Sequence, residues 1–278
     1  MSRCTVCFRH CDIPEGGTGF CGGRSCQDGK IYASNYGRIT SLALDPIEKK
    51  PLNRFHPGSK IISAGSFGCN LRCPFCQNSE ISWSDRISSW PNEAEYISPE
   101  ELTDIAVRYR DKGNIGIAFT YNEPLIGYEY VRDTAKLVHK EGMYNVLVTN
   151  GTAELSVLEE LSPHIDAMNI DLKGYDPQYY DNTLGGCRDM VFAFIKEAAK
   201  VCHVELTTLI VTGENDSEDE IRQISEWIAD LDANIPLHIS RFFPCFHMTD
   251  RTPTDIGTVY RLTDIAKEKL RYVYPGNV

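Results

Sequence analysis

From residue 60 onward, short apolar runs alternate with longer segments in which apolar residues recur every three or four positions. The runs lie at 61–66, 115–120, 144–149, 166–171, 204–211 and 235–240. They are short and rich in β-branched and aliphatic side chains, and read as strands. The intervening segments read as helices. Ser98-Pro99-Glu100-Glu101 is a capping box with proline at the first helical position, and the helix it opens places Leu102, Ile105, Ala106 and Tyr109 on one face. Ser217 and Glu220 form a second box ahead of Ile221, Ile224, Ile228 and Leu231. Thr252-Pro253 predicts the start of a last helix running to about Leu270. Strands alternating with helices give βαβ units and a parallel sheet. Six units are fewer than the eight of a closed barrel. The expected fold is therefore α/β, a partial (β/α)6 TIM-like barrel, with a doubly wound sheet as the alternative.

The first sixty residues lack this pattern. Residues 1–30 are rich in cysteine and glycine, and cannot bury a core of their own. They read as a small metal-stapled N-terminal module. Residues 31–60 read as a connector, with strand-like pieces at 30–32 and 39–42 and turn-rich Asp45-Pro46 and Phe55-His56-Pro57-Gly58. The barrel core then spans 61–278. No internal repeat or low-complexity tract is visible.

Composition excludes several classes. The 28 basic residues against 39 acidic ones leave a charge of −11, which opposes nucleic-acid binding by general phosphate attraction. A chain 42% hydrophobic and 24% charged is not disordered. No apolar run approaches the ~18–20 residues needed to span a bilayer. Met1-Ser2-Arg3-Cys4 opens no secretory signal, so a cytoplasmic protein is expected. In that compartment, eleven cysteines point to metal or redox chemistry before disulfides.

Eight of the eleven lie within the first 76 residues, in two groups. Cys69, Cys73 and Cys76 follow the first core strand, behind Gly65 and Gly68, in a C-x3-C-x2-C spacing. A cubane iron–sulfur cluster takes four ligands, so three thiolates leave one iron open to chelate a small molecule. An incomplete zinc site or buried thiols is the plainer alternative. Cys4, Cys7, Cys11 and Cys21 form the other group, with His10 as a spare ligand and Cys26 nearby. Four thiolates suit tetrahedral zinc. They equally suit an auxiliary iron–sulfur cluster, and spacing does not decide between them.

The C-x3-C-x2-C loop, with the aromatic Phe75 before its third cysteine, resembles the cluster motif of the radical S-adenosylmethionine (SAM) superfamily. Within it, the chain resembles the branch of pyruvate formate-lyase activating enzyme, and most nearly the radical SAM enzyme associated with Memo and AMMECR-type proteins. The finer resemblance rests on the stretch from Asp45-Pro46-Ile47-Glu48 to Leu52, Gln77-Asn78, Thr120-Tyr121-Asn122-Glu123-Pro124, Asp171-Leu172-Lys173-Gly174 and Tyr274-Pro275-Gly276-Asn277-Val278. It covers nearly the whole chain. It implies an oxygen-sensitive 4Fe–4S cluster on Cys69, Cys73 and Cys76. The reduced cluster cleaves SAM to a 5′-deoxyadenosyl radical, which abstracts hydrogen from a substrate the sequence does not reveal. A one-electron donor such as flavodoxin or ferredoxin, and Memo/AMMECR-type proteins, are the implied partners. Many members of that group continue past Gly-Asn-Val into a cysteine-containing tail, so a chain stopping at Val278 is expected to be a short subtype or a truncated product.

In (β/α) folds the chemistry gathers at the C-terminal ends of the strands. After the second core strand stand Asn122 and Glu123; the resemblance implies that this acid binds the SAM amino group, although two glycines usual before it are replaced. Thr149 and Asn150 end the third, within reach of ribose hydroxyls. Asp171 and Lys173 end the fourth on one side of the strand, as SAM contacts or a structural ion pair. Thr207 stands where related activators carry arginine. Phe75 and His247 complete the implied SAM neighbourhood. Cys202 reads as core. Cys187 and Cys245 sit in loops of the catalytic face, as packing residues or as a hydrogen donor or radical relay. Two further functions compete: a glycyl-radical activase, and a non-enzymatic iron–sulfur carrier.

Overall fold

Eight strands form one sheet in the computed structural model, which describes residues 1–278. They are β1 (Ser41–Pro46), β2 (Lys60–Gly65), β3 (Asn114–Phe119), β4 (Tyr144–Thr149), β5 (Ala167–Asp171), β6 (His203–Ile210), β7 (Leu237–Arg241) and β8 (Val273–Gly276). They lie side by side in chain order. All neighbours are parallel except β1, which runs antiparallel to β2. The edges β1 and β8 do not pair with each other, so the barrel stays open.

Six helices complete the βα units: α1 (Pro99–Arg108), α2 (Tyr128–Lys140), α3 (Leu155–Leu161), α4 (Arg188–Ala198), α5 (Glu218–Asp232) and α6 (Ile256–Lys267). The partial (β/α)6 architecture is thus the observed one. Alternation along the strands divides the sheet. Ile62, Leu147, Met168, Ile170, Leu206 and Ile239 join the core under the helices. Ile61, Ala118, Val146 and Ala167 form a separate small cluster on the other face with Ile47 and Leu52. The next inward positions are polar: Ser63, Asn169, Glu205, Thr207 and His238 are all buried. The inner face therefore passes from an apolar plug to a polar cavity.

Both capping serines are in place. Ser98 and Glu101 make the two reciprocal bonds of the box. Ser217 accepts from the Glu220 N–H, but the Glu220 carboxylate turns away to accept the Tyr175 and Asp176 N–H groups. Three expectations need correction. Residues 41–46, assigned to a connector, are a sheet strand, hidden from pattern reading because an edge strand is covered on fewer sides. The last helix starts at Ile256 behind an Asp255 cap, since Asp255 and not Thr252 accepts the Thr258 N–H, and it ends at Lys267. The chain closes on β8, whose Pro275 and Gly276 masked it; an edge position tolerates both.

Residues 1–33 form two small antiparallel hairpins, Ser2–Arg3 with Asp12–Ile13 and Arg24–Gln27 with Lys30–Ala33, so the strand expected at 30–32 pairs back with the N-terminal segment. They pack behind the loop that follows β2.

Candidate functional site

That loop is built on glycine. At Gly68, φ is +95°, and a Cβ there would lie 2.6 Å from the Cys21 carbonyl oxygen. Neighbouring elements then pin the loop. The Cys69 N–H donates to the Cys21 carbonyl at 3.0 Å, Arg72 N–H to Leu184 at 2.8 Å, and His247 N–H to Pro74 at 2.9 Å. Cys69, Cys73 and Cys76 are free thiols. Burial raises all three, Cys73 to about 11 with Lys173 opposing. Thiols pushed up in this way gain from a metal that replaces the proton.

The three cysteines open into a cavity of about 280 Å3 at the C-terminal ends of the strands. Phe75, Asn122, Glu123, Thr149, Asn150, Asp171 and Lys173 line it as well. Glu123 is 2% exposed and accepts three bonds: Thr149 hydroxyl (2.7 Å), Asn150 N–H (2.8 Å) and Leu125 N–H (3.0 Å). Burial nonetheless lifts its pKa to about 7. Its carboxylate ties the end of β3 to the end of β4. Asn122 is spent on the glycine turn, accepting the Ser66 N–H at 2.9 Å and donating to Phe67 and Gly68 carbonyls. Asn150 donates to Asn70 at 3.0 Å and to the Cys69 sulfur at 3.6 Å. Lys173 and Asp171 form an ion pair of 2.7 Å in the wall.

The cavity thus unites ten residues expected at the cofactor site and leaves one apart. His247 does not line it. Its exposed ring packs on Phe246 and Trp83, and only its backbone touches the loop. Cys245 is half-buried, and its thiol donates to the Phe75 carbonyl at 3.1 Å. Cys187 is the half-buried residue before α4. Cys202 donates to the Ala198 carbonyl at 3.6 Å, as a packing thiol does. Sequence reasoning missed Tyr121, Ser82, Leu209, Ser240 and Asn277 in the wall. Inward alternation from Thr207 and His238 points to Leu209 and Ser240. Asn277 follows the unrecognised β8.

Cys4, Cys7, Cys11 and Cys21 line a second, smaller cavity with Arg9 and Arg24. Cys26 lies outside it, in the wall of a different depression. The fit of the first donor set to an iron–sulfur cluster is favourable: three free thiols, one buried and two half-buried, stand on one glycine-turned loop and line one cavity. A bound metal would exclude their protons, and the cavity leaves room for a ligand beside it.

The sequence profile of the radical SAM superfamily matches residues 65–228. An uncharacterized protein of Methanocaldococcus jannaschii is 42% identical over 99% of this chain and 81% of its own. Pyruvate formate-lyase 1-activating enzyme of Escherichia coli is 27% identical over 63% of this chain and 70% of its own. Among solved structures, Streptococcus suis SuiB bound to S-adenosylmethionine superposes with a TM-score of 0.58 at 14% identity, covering 75% of this chain and 47% of SuiB.

Proposed function

The chain belongs to the radical SAM superfamily, and on that premise we propose that the strand-end cavity is its reaction chamber and that Cys69, Cys73 and Cys76 are the cluster ligands. Membership makes the protein an enzyme whose cofactors are a 4Fe–4S cluster and SAM. When bound, these supply a one-electron cleavage of SAM to methionine and a 5′-deoxyadenosyl radical that takes hydrogen from a substrate carbon.

The chain's own residues bind and shield. The three thiolates would hold the cluster and leave one of its irons free for SAM. Glu123 joins the ends of β3 and β4 by accepting from the Thr149 hydroxyl and the Asn150 N–H, and Asn122 holds the glycine turn beneath them. The Lys173 ammonium offsets thiolate charge beside Cys73, while Asp171 offers an acceptor to a hydroxyl or ammonium group. Phe75, edge-on to Phe242 at 6.3 Å, keeps water from that side. Thr207, Leu209 and Ser240 present an uncharged wall to the substrate. His247 enters this reading as a lid residue above Pro74, not as a wall residue. Cys4, Cys7, Cys11 and Cys21 hold a separate metal. A flavodoxin- or ferredoxin-class donor supplies electrons in a reducing cytoplasm, and Memo/AMMECR-type proteins are the partners proposed.

The observation that supports this reading is the single cavity shared by the three loop thiols and the polar strand ends. Its test is anaerobic reconstitution with iron and sulfide, then SAM and dithionite, scored for 5′-deoxyadenosine. The wild type should form it, and Ala at Cys69, Cys73 or Cys76 should abolish it. A variant lacking all three thiols that still forms it overturns the assignment. The match to pyruvate formate-lyase 1-activating enzyme favours a second reading, a glycyl-radical activase. That reading requires a protein radical to appear on a glycyl-radical enzyme incubated with the loaded chain.

A further inference from the structure

We infer that Cys4, Cys7, Cys11 and Cys21 hold a second 4Fe–4S cluster and that it relays electrons to the strand-end site through the contact between Cys21 and Cys69. The inference rests on the reading that Cys69, Cys73 and Cys76 hold the reactive cluster.

The arrangement of the thiols argues for a cluster over zinc. A zinc ion draws four sulfurs to about 2.3 Å from one point, hence about 3.8 Å from each other. No three of these thiols converge on a point that could hold one metal ion. They stand around a cavity instead, which Val6, Ile13 and Ile126 close with apolar surface. Cys69, Cys73 and Cys76 have the same character: they surround a space and do not converge on an ion. Both sets are shaped for a polynuclear body. Four ligands complete the second one, so it keeps no open iron and does not compete for SAM.

Charge adds a second, independent observation. A four-thiolate cluster is anionic and gains a further negative charge on reduction. Arg9 stands in the cavity wall; Arg24 lines it too, but Glu129 matches its charge at 2.6 Å. The Arg9 guanidinium lines this cavity and also donates to the Asn70 carbonyl, next to Cys69, at 2.8 Å, so it sits between the two thiol sets. Arg72 likewise donates to the carbonyls of Cys69, at 2.9 Å, and of Phe20, the residue before Cys21. A structural zinc has no varying charge to compensate; cations between two redox centres stabilise the electron on either side.

The connection is short. The Cys69 N–H donates to the Cys21 carbonyl at 3.0 Å, so one hydrogen bond joins a ligand of each site. A second route runs from Arg9 in the cavity wall to the Asn70 carbonyl at 2.8 Å, and from the Asn70 side chain to Asn150 at 3.0 Å and on to the Cys69 sulfur at 3.6 Å. In the step proposed, a reduced flavodoxin- or ferredoxin-class donor loses one electron and the N-terminal cluster goes from the 2+ to the 1+ state. That electron then reduces the strand-end cluster from 2+ to 1+, and the N-terminal cluster returns to 2+. No proton or atom moves.

The test uses the full chain, reconstituted anaerobically. The wild type should carry about eight irons, and a Cys69/Cys73/Cys76→Ala variant about four, with an electron paramagnetic resonance signal that SAM does not perturb. That variant leaves the N-terminal module intact, so misfolding of the module does not confuse the count. About one zinc and no iron in it overturns the second cluster while leaving the proposed function standing. Four wild-type irons that never respond to SAM overturn the proposed function instead. For the relay, Cys11→Ala should slow reduction of the SAM-responsive cluster by reduced flavodoxin at least tenfold in stopped flow, read optically. An unchanged rate in that variant, with its N-terminal irons lost, removes the relay.

Discussion

Glu123 carries the clearest residue-scale consequence. Its two carboxylate oxygens accept from Thr149, Asn150 and Leu125. Glutamine keeps one acceptor and turns an N–H2 toward a donor, losing about one to two net hydrogen bonds of about 1 kcal/mol each. Glu123→Gln should therefore loosen the β3 and β4 ends and weaken SAM binding about tenfold at unchanged iron content. Equal SAM affinity, by equilibrium dialysis of the reconstituted protein, would take Glu123 out of the site. Glu205 behaves in the opposite electrostatic sense. Burial works against its charge, but His203 at 2.9 Å, His238 at 2.7 Å and two backbone N–H groups overcome this and hold it at about 2. A carboxylate whose folded pKa is depressed contributes stability above its unfolded value of 4.5 and loses it as pH falls toward about 2. Glu205→Gln should cost about 1–3 kcal/mol at pH 7 in urea unfolding, with the gap to wild type closing as pH falls through that window. A gap that stays constant with pH would mean that the anion is not what holds the 53–54 turn. At this scale the sequence was informative wherever spacing alone defines chemistry, as at Cys69, Cys73 and Cys76. It did not reveal that the His247 ring packs on Trp83 and Phe246 outside the cavity wall, because a loop residue's facing depends on packing that no local pattern encodes.

Between elements, the legible parts were those whose signals are local. The Ser98 box, Pro99 and the apolar face of α1 lie within a dozen residues, and helix and cap match the expectation. β1 and β8 escaped because an edge strand's identity depends on a partner far away in sequence, β2 for one and β7 for the other. The cavity was legible by implication, since period-two alternation sends Asp171, Thr207 and Ser240 inward with no further information. One close approach was not. Gly116 in β3 pairs with Tyr144 in β4, and a Cβ there would lie 1.8 Å from the Tyr144 carbonyl oxygen. The clash is with backbone, so no side-chain rotation relieves it. Gly116→Ala should destabilise the chain by about 1–3 kcal/mol or more, since overpacking forces the strands apart. Ser98→Ala, which removes one cap, should cost about 1 kcal/mol and gives the scale. If thermal unfolding ranks Ser98→Ala as the more damaging of the two, the strand contact is wrong.

Across the whole molecule, the N-terminal module and the barrel are joined where the two thiol sets meet. No helix is long and apolar enough to cross a membrane, and the module's anchor is instead a cluster of arginines. Arg9 donates to the Asn70 carbonyl at 2.8 Å and to the Gly185 carbonyl, so one side chain of the module grips both the Cys69 loop and the loop before α4. Arg72 answers from the barrel, donating to the Phe20 carbonyl. Both guanidiniums sit against the Phe20 ring, 3.4 Å and 3.7 Å from its centroid. Backbone bonds from Cys69 to Cys21 and from Glu154 to Val6 complete the seam. Two cations held close would repel, and the aromatic face and the three carbonyls between them offset that repulsion. A module of two short hairpins has little core, so its order depends on this seam. Arg9→Ala removes two hydrogen bonds and two cation–π contacts, with Phe8 and Phe20, while leaving all seven cysteines of the two thiol sets in place. Amide exchange should then rise at least tenfold at residues 4–26 and 69–72, with the protection of α5 and α6 unchanged. Faster exchange everywhere would mean that module and barrel unfold as one unit. Unchanged exchange at 69–72 would mean that the Cys69 loop is ordered without the module, and the seam would then contribute nothing to the site it adjoins.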